Sequence, residues 1–200
     1  MSGSGPTADP GSSGSVKQVE AKLKDGTRIQ LVLAGQADVE PLRQLYQIIV
    51  TEGTSYPHDR LPDHEDFMDY WFRGKSTVAA YLVERSPQSG MLGAFYLKPN
   101  WPGRARQVAN AGFIVAPGWR NKGLGWLLGA TMLQYAKELG YRSVIFNLVF
   151  SENEAARHLW ETLGFTVLGT IPDAVRRNDG TYQDALIMFR SLVEEPMADS

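Results

Sequence analysis

The chain has 200 residues, of which 43% are hydrophobic and five are tryptophan, enough apolar material for the core of one globular domain. Its formal net charge of -2 and pI near 5.9 leave no excess of basic residues for nucleic acid or anionic membranes, so we expect neither partner. The lack of cysteine excludes disulfides, thiolate nucleophiles and cysteine zinc sites, and three scattered histidines are a poor metal cluster, so we expect no metal.

The amino terminus has a composition unlike the rest of the chain. Residues 1–15 are almost all small or polar, which predicts a disordered leader. We therefore expect a single domain at 16–192 and a short tail at 193–200. No apolar run approaches the roughly 20 residues that span a bilayer, and the amino terminus lacks the pattern of a secretory signal. A cytoplasmic protein is expected.

The pattern of apolar residues predicts the secondary structure in chain order. Strand-like runs lie at 16–19, 28–33, 77–84, 91–97, 108–115, 143–149, 166–171 and 184–190. Helical spacing occurs at 37–52, 62–72, 123–139 and 153–163. Strands dominate the first half and a strand–helix–strand unit follows, so we expect an α/β fold with a mixed sheet.

A loop rich in glycine and basic residues precedes the third predicted helix. It spans Arg120 to Gly125, with the sequence RNKGLG, and follows the strand at 108–115. Backbone N–H groups at a helix start have no intrahelical partner, and glycines let phosphate oxygens approach the main chain. The loop therefore predicts an anion site, although close helix packing would also explain its glycines.

Two other phosphate-binding motifs fit this loop poorly. A P-loop requires Lys directly after its second glycine, and Leu124 stands there. A dinucleotide fold expects a glycine close behind the strand and an acidic residue about 20 positions later. Here the connection is long and the next strand carries Asn147 near its end. Neither nucleotide motif is supported.

Residues 113–125 and 153–165 resemble two motifs of the GCN5-related N-acetyltransferase (GNAT) family. The first, FIVAPGWRNKGLG, matches an apolar strand followed by Arg/Gln-x-x-Gly-x-Gly/Ala and a helix; the second, NEAARHLWETLGF, matches an Asn-initiated helix ending in Gly-Phe. The resemblance implies a mixed, mostly antiparallel sheet with flanking helices, whose central strands splay apart and admit the pantetheine arm of acetyl-CoA. The residues expected to bind acetyl-CoA are Phe113, Val115, Arg120, Asn121, Lys122, Gly123, Leu124, Gly125, Asn153 and Trp160.

The chain departs from this family at two chemical positions. Asn110 stands where many members carry a glutamate base, and Trp160 stands where the family often has a tyrosine acid. An amide accepts no proton at neutral pH, but it can hydrogen-bond the attacking amine or an ordered water. We therefore expect Asn110 to be the catalytic residue, acting by polarisation and proximity. Alternatively, Asn110 has a structural role, and its side chain hydrogen-bonds backbone groups that a bulge in the strand leaves unpaired. Glu52, His58 and Asp59 are either remote bases or ordinary loop charges.

Three asparagines also resemble the fungal branch of the family that acetylates proline analogues such as azetidine-2-carboxylate. The resemblance implies that Asn110 lies near the reacting amine, Asn147 near the substrate carboxylate and Asn153 toward acetyl-CoA. Asn147 is alternatively structural, and Asn153 is most simply a helix cap. Tyr56, in the polar loop after the first helix, is expected to contact the substrate.

These observations favour an acetyl-CoA-dependent N-acetyltransferase that acts on a small-molecule amine in a ternary complex. A protein or peptide N-acetyltransferase and a non-catalytic acetyl-CoA sensor are the alternatives. A peptide enzyme needs an open channel, whereas Tyr56, Trp71, Phe72 and Trp101 are candidates to cap a small pocket, unless they fill the core. A homodimer is compatible with the sequence.

Overall fold

The computed structural model describes residues 18–84 and 90–193. The predicted leader lies outside the described residues, as does the predicted tail beyond Val193. The strands are β1 (Val19–Lys22), β2 (Arg28–Leu33), β3 (Ser76–Leu82), β4 (Gly93–Pro99), β5 (Val108–Val115), β6 (Ser143–Phe150), β7 (Thr166–Arg176) and β8 (Tyr182–Ser191). The helices are α1 (Val39–Glu52), α2 (His64–Trp71), α3 (Leu124–Glu138) and α4 (Glu154–Thr162).

The strands form one eight-stranded sheet with the order β1-β2-β3-β4-β5-β6-β8-β7. Neighbouring strands run antiparallel, except that β5 and β6 are parallel because α3 connects them. This confirms the predicted α/β fold with a mixed, mostly antiparallel sheet.

Helices cover both faces of the sheet. Strand β4 fits between these two helical layers because it carries apolar side chains on both of its faces. Ala94 and Tyr96 point to the side of α1 and α2, whereas Phe95 and Leu97 point to the side of α3. Successive side chains alternate between faces, so a central strand between two helical layers is apolar throughout. Burying a large apolar side chain contributes about 1.5–3 kcal/mol, and both layers therefore stabilise the sheet.

The last hairpin is longer than the sequence predicts. The sequence pattern predicts that its first strand ends at Ile171, yet β7 continues through Pro172 to Arg176. β7 is the edge strand, and its register with β8 shifts between Ile171 and Val175. Proline, which has no N–H, is tolerated at an irregular position of an edge strand. At the other end, β1 begins at Val19, the last residue of the predicted strand at 16–19, and residues 16 and 17 lie outside the described part of the chain.

The two central strands separate after a short parallel contact. β5 and β6 pair at Val108 with Ser143 and at Ala109 with Val144, and no further pair joins them in the described sheet. A register irregularity between Phe146 and Val149 bends β6 at the same level. The predicted splay is confirmed, and it opens a cleft of about 820 Å³.

Candidate functional site

The cleft collects side chains from both halves of the sheet. Most of the predicted site residues line it: Tyr56, Asn110, Phe113, Val115, Arg120, Asn121, Gly123, Gly125, Asn147, Asn153 and Trp160. Its lining includes the loop before α3, the loop after α1, and the side chains of Tyr70 and Tyr96. The splay of β5 and β6 therefore joins an anion-binding loop to an aromatic pocket.

The loop before α3 has the backbone geometry of an anion cradle. Asn121 and Gly123 have positive φ angles of 61° and 88°, and Gly123 is the N-cap of α3. A Cβ at Gly125 would lie 3.3 Å from Cδ2 of Leu159, so any side chain there would crowd the cleft wall. The absence of side chains at Gly123 and Gly125 keeps the backbone N–H groups at the start of α3 accessible to a ligand.

The charged residues of this loop differ in their surroundings. Arg120 lies beside the cleft and pairs with Glu52, with 2.5 Å between Nη2 and Oε2. The Nζ atom of Lys122 lies 4.6 Å from the ring centre of Trp119, away from the cleft lining. Leu124 is completely buried in the core beneath α3. The side chains of Lys122 and Leu124 therefore do not line the cleft.

Trp160 fills the space between the separated strands. Its side chain is only 6% exposed, and its ring centre lies 4.7 Å from both Phe113 on β5 and Phe146 on β6. A Cβ at Gly129 of α3 would approach Trp160 to 3.2 Å, so the indole is also packed against that helix. The residue thus forms an apolar wall of the cleft where the family often has a phenol.

Asn110 connects the separated strands through its side chain. Its Nδ2 donates a hydrogen bond of 2.9 Å to the carbonyl oxygen of Ile145, and its Oδ1 accepts a long bond of 3.5 Å from the hydroxyl of Tyr96. The strand is regular here, with Asn110 opposite Lys98, so the bulge considered from the sequence is not observed. The amide therefore satisfies a carbonyl of β6 where backbone pairing has ended, with one Nδ2 hydrogen remaining toward the cleft.

The other two asparagines also have protein partners. Asn147 exchanges two side-chain hydrogen bonds with Asn100, of 2.6 and 3.4 Å. Asn153 caps α4, because its Oδ1 accepts from the backbone N of Ala156 at 3.0 Å. Its Nδ2 lies 3.4 Å from the carbonyl oxygen of Thr54, which links α4 to the loop after α1 across the cleft.

The buried hydroxyl of Tyr56 makes no hydrogen bond of full geometry in the described part of the chain, although the backbone of Phe113 lies close enough to act on its pKa. The side chain is 8% exposed and lines the cleft. A Cβ at Gly112 would lie 2.8 Å from this hydroxyl, so glycine is what allows the phenol to approach β5. Burial raises the pKa of Tyr56 well above 10, and the hydroxyl stays protonated at neutral pH.

Aromatic side chains surround Tyr56 at the acceptor end. Tyr46 packs edge-to-face against Tyr56 at 5.1 Å, and its hydroxyl lies 2.7 Å from Nδ1 of His58. Burial lowers the pKa of His58, and the carboxylates of Asp59 and Asp66 oppose this shift. Trp71 is completely buried in the core under α2, so it is no lid.

Trp101, another candidate to cap the pocket, is half-exposed and lies outside the lining of the cleft.

Four residues near the acceptor end were not predicted from the sequence: Tyr70, Lys75, Tyr96 and Lys98. Strand alternation places Tyr96 and Lys98 on one face of β4, but only the register with β5 brings that face to Asn110.

The chain matches the family described as "Acetyltransferase (GNAT) family" over residues 40–165. It is 37% identical to N-acetyltransferase aca1 of Schizosaccharomyces pombe over 148 residues, which cover 68% of this chain and 71% of that protein. It is 26% identical to L-amino acid N-acyltransferase MnaT of Escherichia coli, with 84% of this chain and 96% of MnaT covered.

Among solved structures, a GCN5-related N-acetyltransferase from Kribbella flavida superposes with a TM-score of 0.75 at 30% identity, covering 82% of this chain and 97% of that one. No helix within 18–84 and 90–193 is long and apolar enough to cross a membrane, and these residues contain no group of three metal-ligating side chains. The family match over residues 40–165 and the identity to aca1 lead to the same conclusion as the cleft: the chain belongs to the acetyltransferase (GNAT) family and is an acetyl-CoA-dependent N-acetyltransferase.

Proposed function

We propose that the chain transfers the acetyl group of acetyl-CoA to the amine of a small amino acid or cyclic imino acid, by direct attack in a ternary complex. The observation that carries this proposal is the continuity of the cleft between the glycine-rich loop before α3 and an aromatic pocket. A cosubstrate and an acceptor can therefore meet at the point where β5 and β6 separate.

The residues of the cleft suit acetyl-CoA in two respects. The loop around Gly123 and Gly125 offers unpaired N–H groups to a pyrophosphate. Beyond Ala109, the edge of β5 that faces β6 lacks strand pairing, so the backbone near Phe113 and Val115 is available to an extended amide-bearing arm. Acetyl-CoA supplies a thioester whose carbonyl carbon accepts the amine.

We assign the chemistry of the acceptor to Asn110 and Tyr56. The remaining Nδ2 hydrogen of Asn110 can orient the amine or a water, and the hydroxyl of Tyr56 can donate to, or accept from, the same group. With its raised pKa, Tyr56 remains a neutral hydrogen-bond partner at pH 7. The described residues that line the cleft include no carboxylate, and such a site suits an acceptor that arrives partly as the free base.

The walls of the acceptor end favour a small acceptor over a peptide. The Asn153 contact with Thr54 closes one side, and Tyr56, Tyr70 and Tyr96 form the wall. The name of MnaT, an L-amino acid N-acyltransferase, agrees with an amino acid acceptor. The three asparagines that resemble the fungal branch extend the proposal to cyclic imino acids.

Release of free thiol from acetyl-CoA tests this function directly. The acceptor panel contains L-amino acids, proline, azetidine-2-carboxylate, polyamines, aminoglycosides and amino-terminal peptides. We expect turnover with amino or imino acids, with mass spectrometry showing the N-acetyl product. Faster turnover of peptides with blocked carboxyl ends would assign the enzyme to protein acetylation instead.

A further inference from the structure

A second pocket of about 500 Å³ adjoins the acceptor end of the cleft. It shares Tyr70 and Lys98 with the cleft, so the two spaces meet at these side chains. The complete lining is His58, Asp59, Arg60, Pro62, Asp66, Asp69, Tyr70, Lys75 and Lys98. The pocket is therefore where the part of an acceptor beyond its reacting amine would lie.

Two lysines converge at the inner side of this pocket. The Nζ of Lys75 lies 4.7 Å from the ring centre of Tyr70 and 4.8 Å from that of Tyr96, and the Nζ of Lys98 lies 5.5 Å from the ring of Tyr96. The pairing of Ser76 with Leu97 between β3 and β4 sets the two lysines side by side. Two ammonium groups thus share one aromatic surface.

This arrangement leaves positive charge uncompensated. Both side chains are half-buried, and neither ammonium forms an ion pair among residues 18–84 and 90–193. Burial, followed by repulsion from Lys98, lowers the pKa of Lys75 to about 7. Close like charges that are partly removed from water are unfavourable unless an anion lies between them.

The acidic residues of the pocket do not fill that role. Asp59, Asp66 and Asp69 are exposed to solvent, and Asp69 pairs with Arg73 at 2.6 Å. Only Asp69 acts on Lys75 to raise its pKa, and this effect is smaller than that of Lys98. The inner end of the pocket therefore remains electropositive and the outer rim carries solvated charges of both signs.

The register of the sheet connects this positive end to the reaction site. Lys98 is directly opposite Asn110 in the β4–β5 ladder, so both side chains project from the same face. Directly opposite residues have Cβ atoms roughly 5 Å apart. A small acceptor could therefore place its carboxylate at the lysines and its amine at the amide of Asn110.

We propose that Lys75 and Lys98 form an anion subsite that binds the carboxylate of the acceptor, with Tyr96 as its floor. This rests on the proposed function and deepens it: the preferred acceptors carry a free carboxylate close to the amine. The subsite replaces Asn147 as the carboxylate anchor, because the amide of Asn147 is already paired with Asn100 and carries no charge.

A matched pair of acceptors tests the subsite. We compare the best amino or imino acid of the panel with its primary carboxamide, which keeps the amine but lacks the negative charge. The wild-type enzyme should have the higher kcat/KM with the acid. Lys75→Gln and Lys98→Gln should each reduce kcat/KM for the acid about 10- to 100-fold more than for the carboxamide, the loss expected for a charge-assisted contact.

Lys137→Gln is the control, since Lys137 is exposed on the last turn of α3, far along the chain from both strands. It should leave the acid-to-amide ratio at the wild-type value. An equal loss for acid and carboxamide in the Lys75 and Lys98 variants would overturn the subsite, because the lysines would then act on the chemistry or on folding. So would a wild-type preference for the carboxamide. Turnover of neither compound, with peptides or polyamines accepted, would contradict the proposed function itself.

Discussion

The Nδ2 of Asn110 on β5 donates a hydrogen bond of 2.9 Å to the backbone carbonyl of Ile145 on β6, one residue beyond the last backbone pair of these strands. The side chain thereby replaces the main-chain donor that the splay removes. A residue expected from the sequence to orient the amine also holds the two walls of the cleft together. Its substitution should therefore affect both stability and catalysis.

Asn110→Ala should lower the free energy of unfolding by about 1–3 kcal/mol, because the buried carbonyl of Ile145 loses its donor. It should also lower kcat about 10- to 1,000-fold if the amide polarises the transition state. Chemical denaturation and steady-state kinetics well below the melting temperature separate the two effects. Wild-type kcat in a destabilised variant would leave Asn110 with the structural role alone.

Asn110→Asp distinguishes a missing base from a required donor. A carboxylate would face the carbonyl oxygen of Ile145, so two acceptors would oppose each other. We expect this variant to be at least as impaired as Asn110→Ala in both stability and kcat. Activity above that of Asn110→Ala would instead mean that the site lacks only a base.

Gly125→Val should weaken acetyl-CoA binding at least about tenfold, because its Cβ alone would lie 3.3 Å from Leu159 and a branched side chain would intrude further on the cradle. Titration calorimetry measures the Kd. Gly118→Ala is the matched control, since a Cβ there meets no atom within 4 Å and the φ of Gly118 is not positive. An unchanged Kd in folded Gly125→Val protein would refute the anion cradle.

Trp160→Phe should raise KM for acetyl-CoA while kcat changes by no more than about threefold. The indole packs 4.7 Å from Phe113 and Phe146, so a smaller ring loosens the wall of the cleft and costs about 1–3 kcal/mol of stability. Initial-rate kinetics with both substrates varied provide the measurement. A large fall in kcat at constant KM would give the indole a direct part in the chemistry.

Tyr56→Phe should stabilise the ligand-free protein by up to about 1 kcal/mol, because it removes a buried hydroxyl whose approach to the backbone of Phe113 falls short of a full hydrogen bond. It should nonetheless reduce kcat/KM for the acceptor about tenfold if that hydroxyl contacts the amine. The same change at Tyr46 is the control: its hydroxyl bonds His58 at 2.7 Å, so Tyr46→Phe should destabilise. Higher stability of Tyr56→Phe with full activity would exclude Tyr56 from the reaction.

Binding of an amine-free carboxylate, cyclobutanecarboxylate, should strengthen as the pH falls from 8.5 to 6.5. Lys75 has a pKa of about 7, so it gains its charge as the pH falls through that value and loses it as the pH rises. The carboxylate stays ionised over this range, and the pKa of His58 is lowered below 6.5 by burial. The other charged and titratable groups that face or line the same pocket are Lys98, His58, Asp59, Arg60, Asp66, Asp69, Tyr70 and Tyr96. Burial raises the pKa of both tyrosines, so they stay neutral over this range.

Ligand-induced changes in melting temperature at each pH provide the measurement. Lys75→Gln should remove most of the pH dependence, whereas Lys137→Gln should retain it. Equal binding at pH 6.5 and 8.5 in the wild-type protein would contradict the assignment of the carboxylate to Lys75.

The sequence by itself determined the elements and the cofactor loop, because both depend on local geometry. The alternating runs and 3.6-residue spacing predict strands and helices whatever their partners are. The positive φ angles of Gly140 and Gly164 follow from glycine just after a helix carboxyl end. The motif around Gly125 could be recognised for the same reason. The sequence pattern placed the end of β7 too early, at Ile171, for a tertiary reason. The strand continues through Pro172 because β7 is an edge strand, where proline is tolerated.

The tertiary structure alone decided which side chains meet. Strand register places Lys98 opposite Asn110 and brings Lys75 beside it, although nothing in the spacing of these residues along the chain indicates a shared site. The splay decides that Asn110 bonds Ile145, because only the loss of backbone pairing leaves that carbonyl free. Pairing across a sheet joins residues far apart in sequence, and its register depends on the whole set of packed faces, so one strand's pattern cannot predict it.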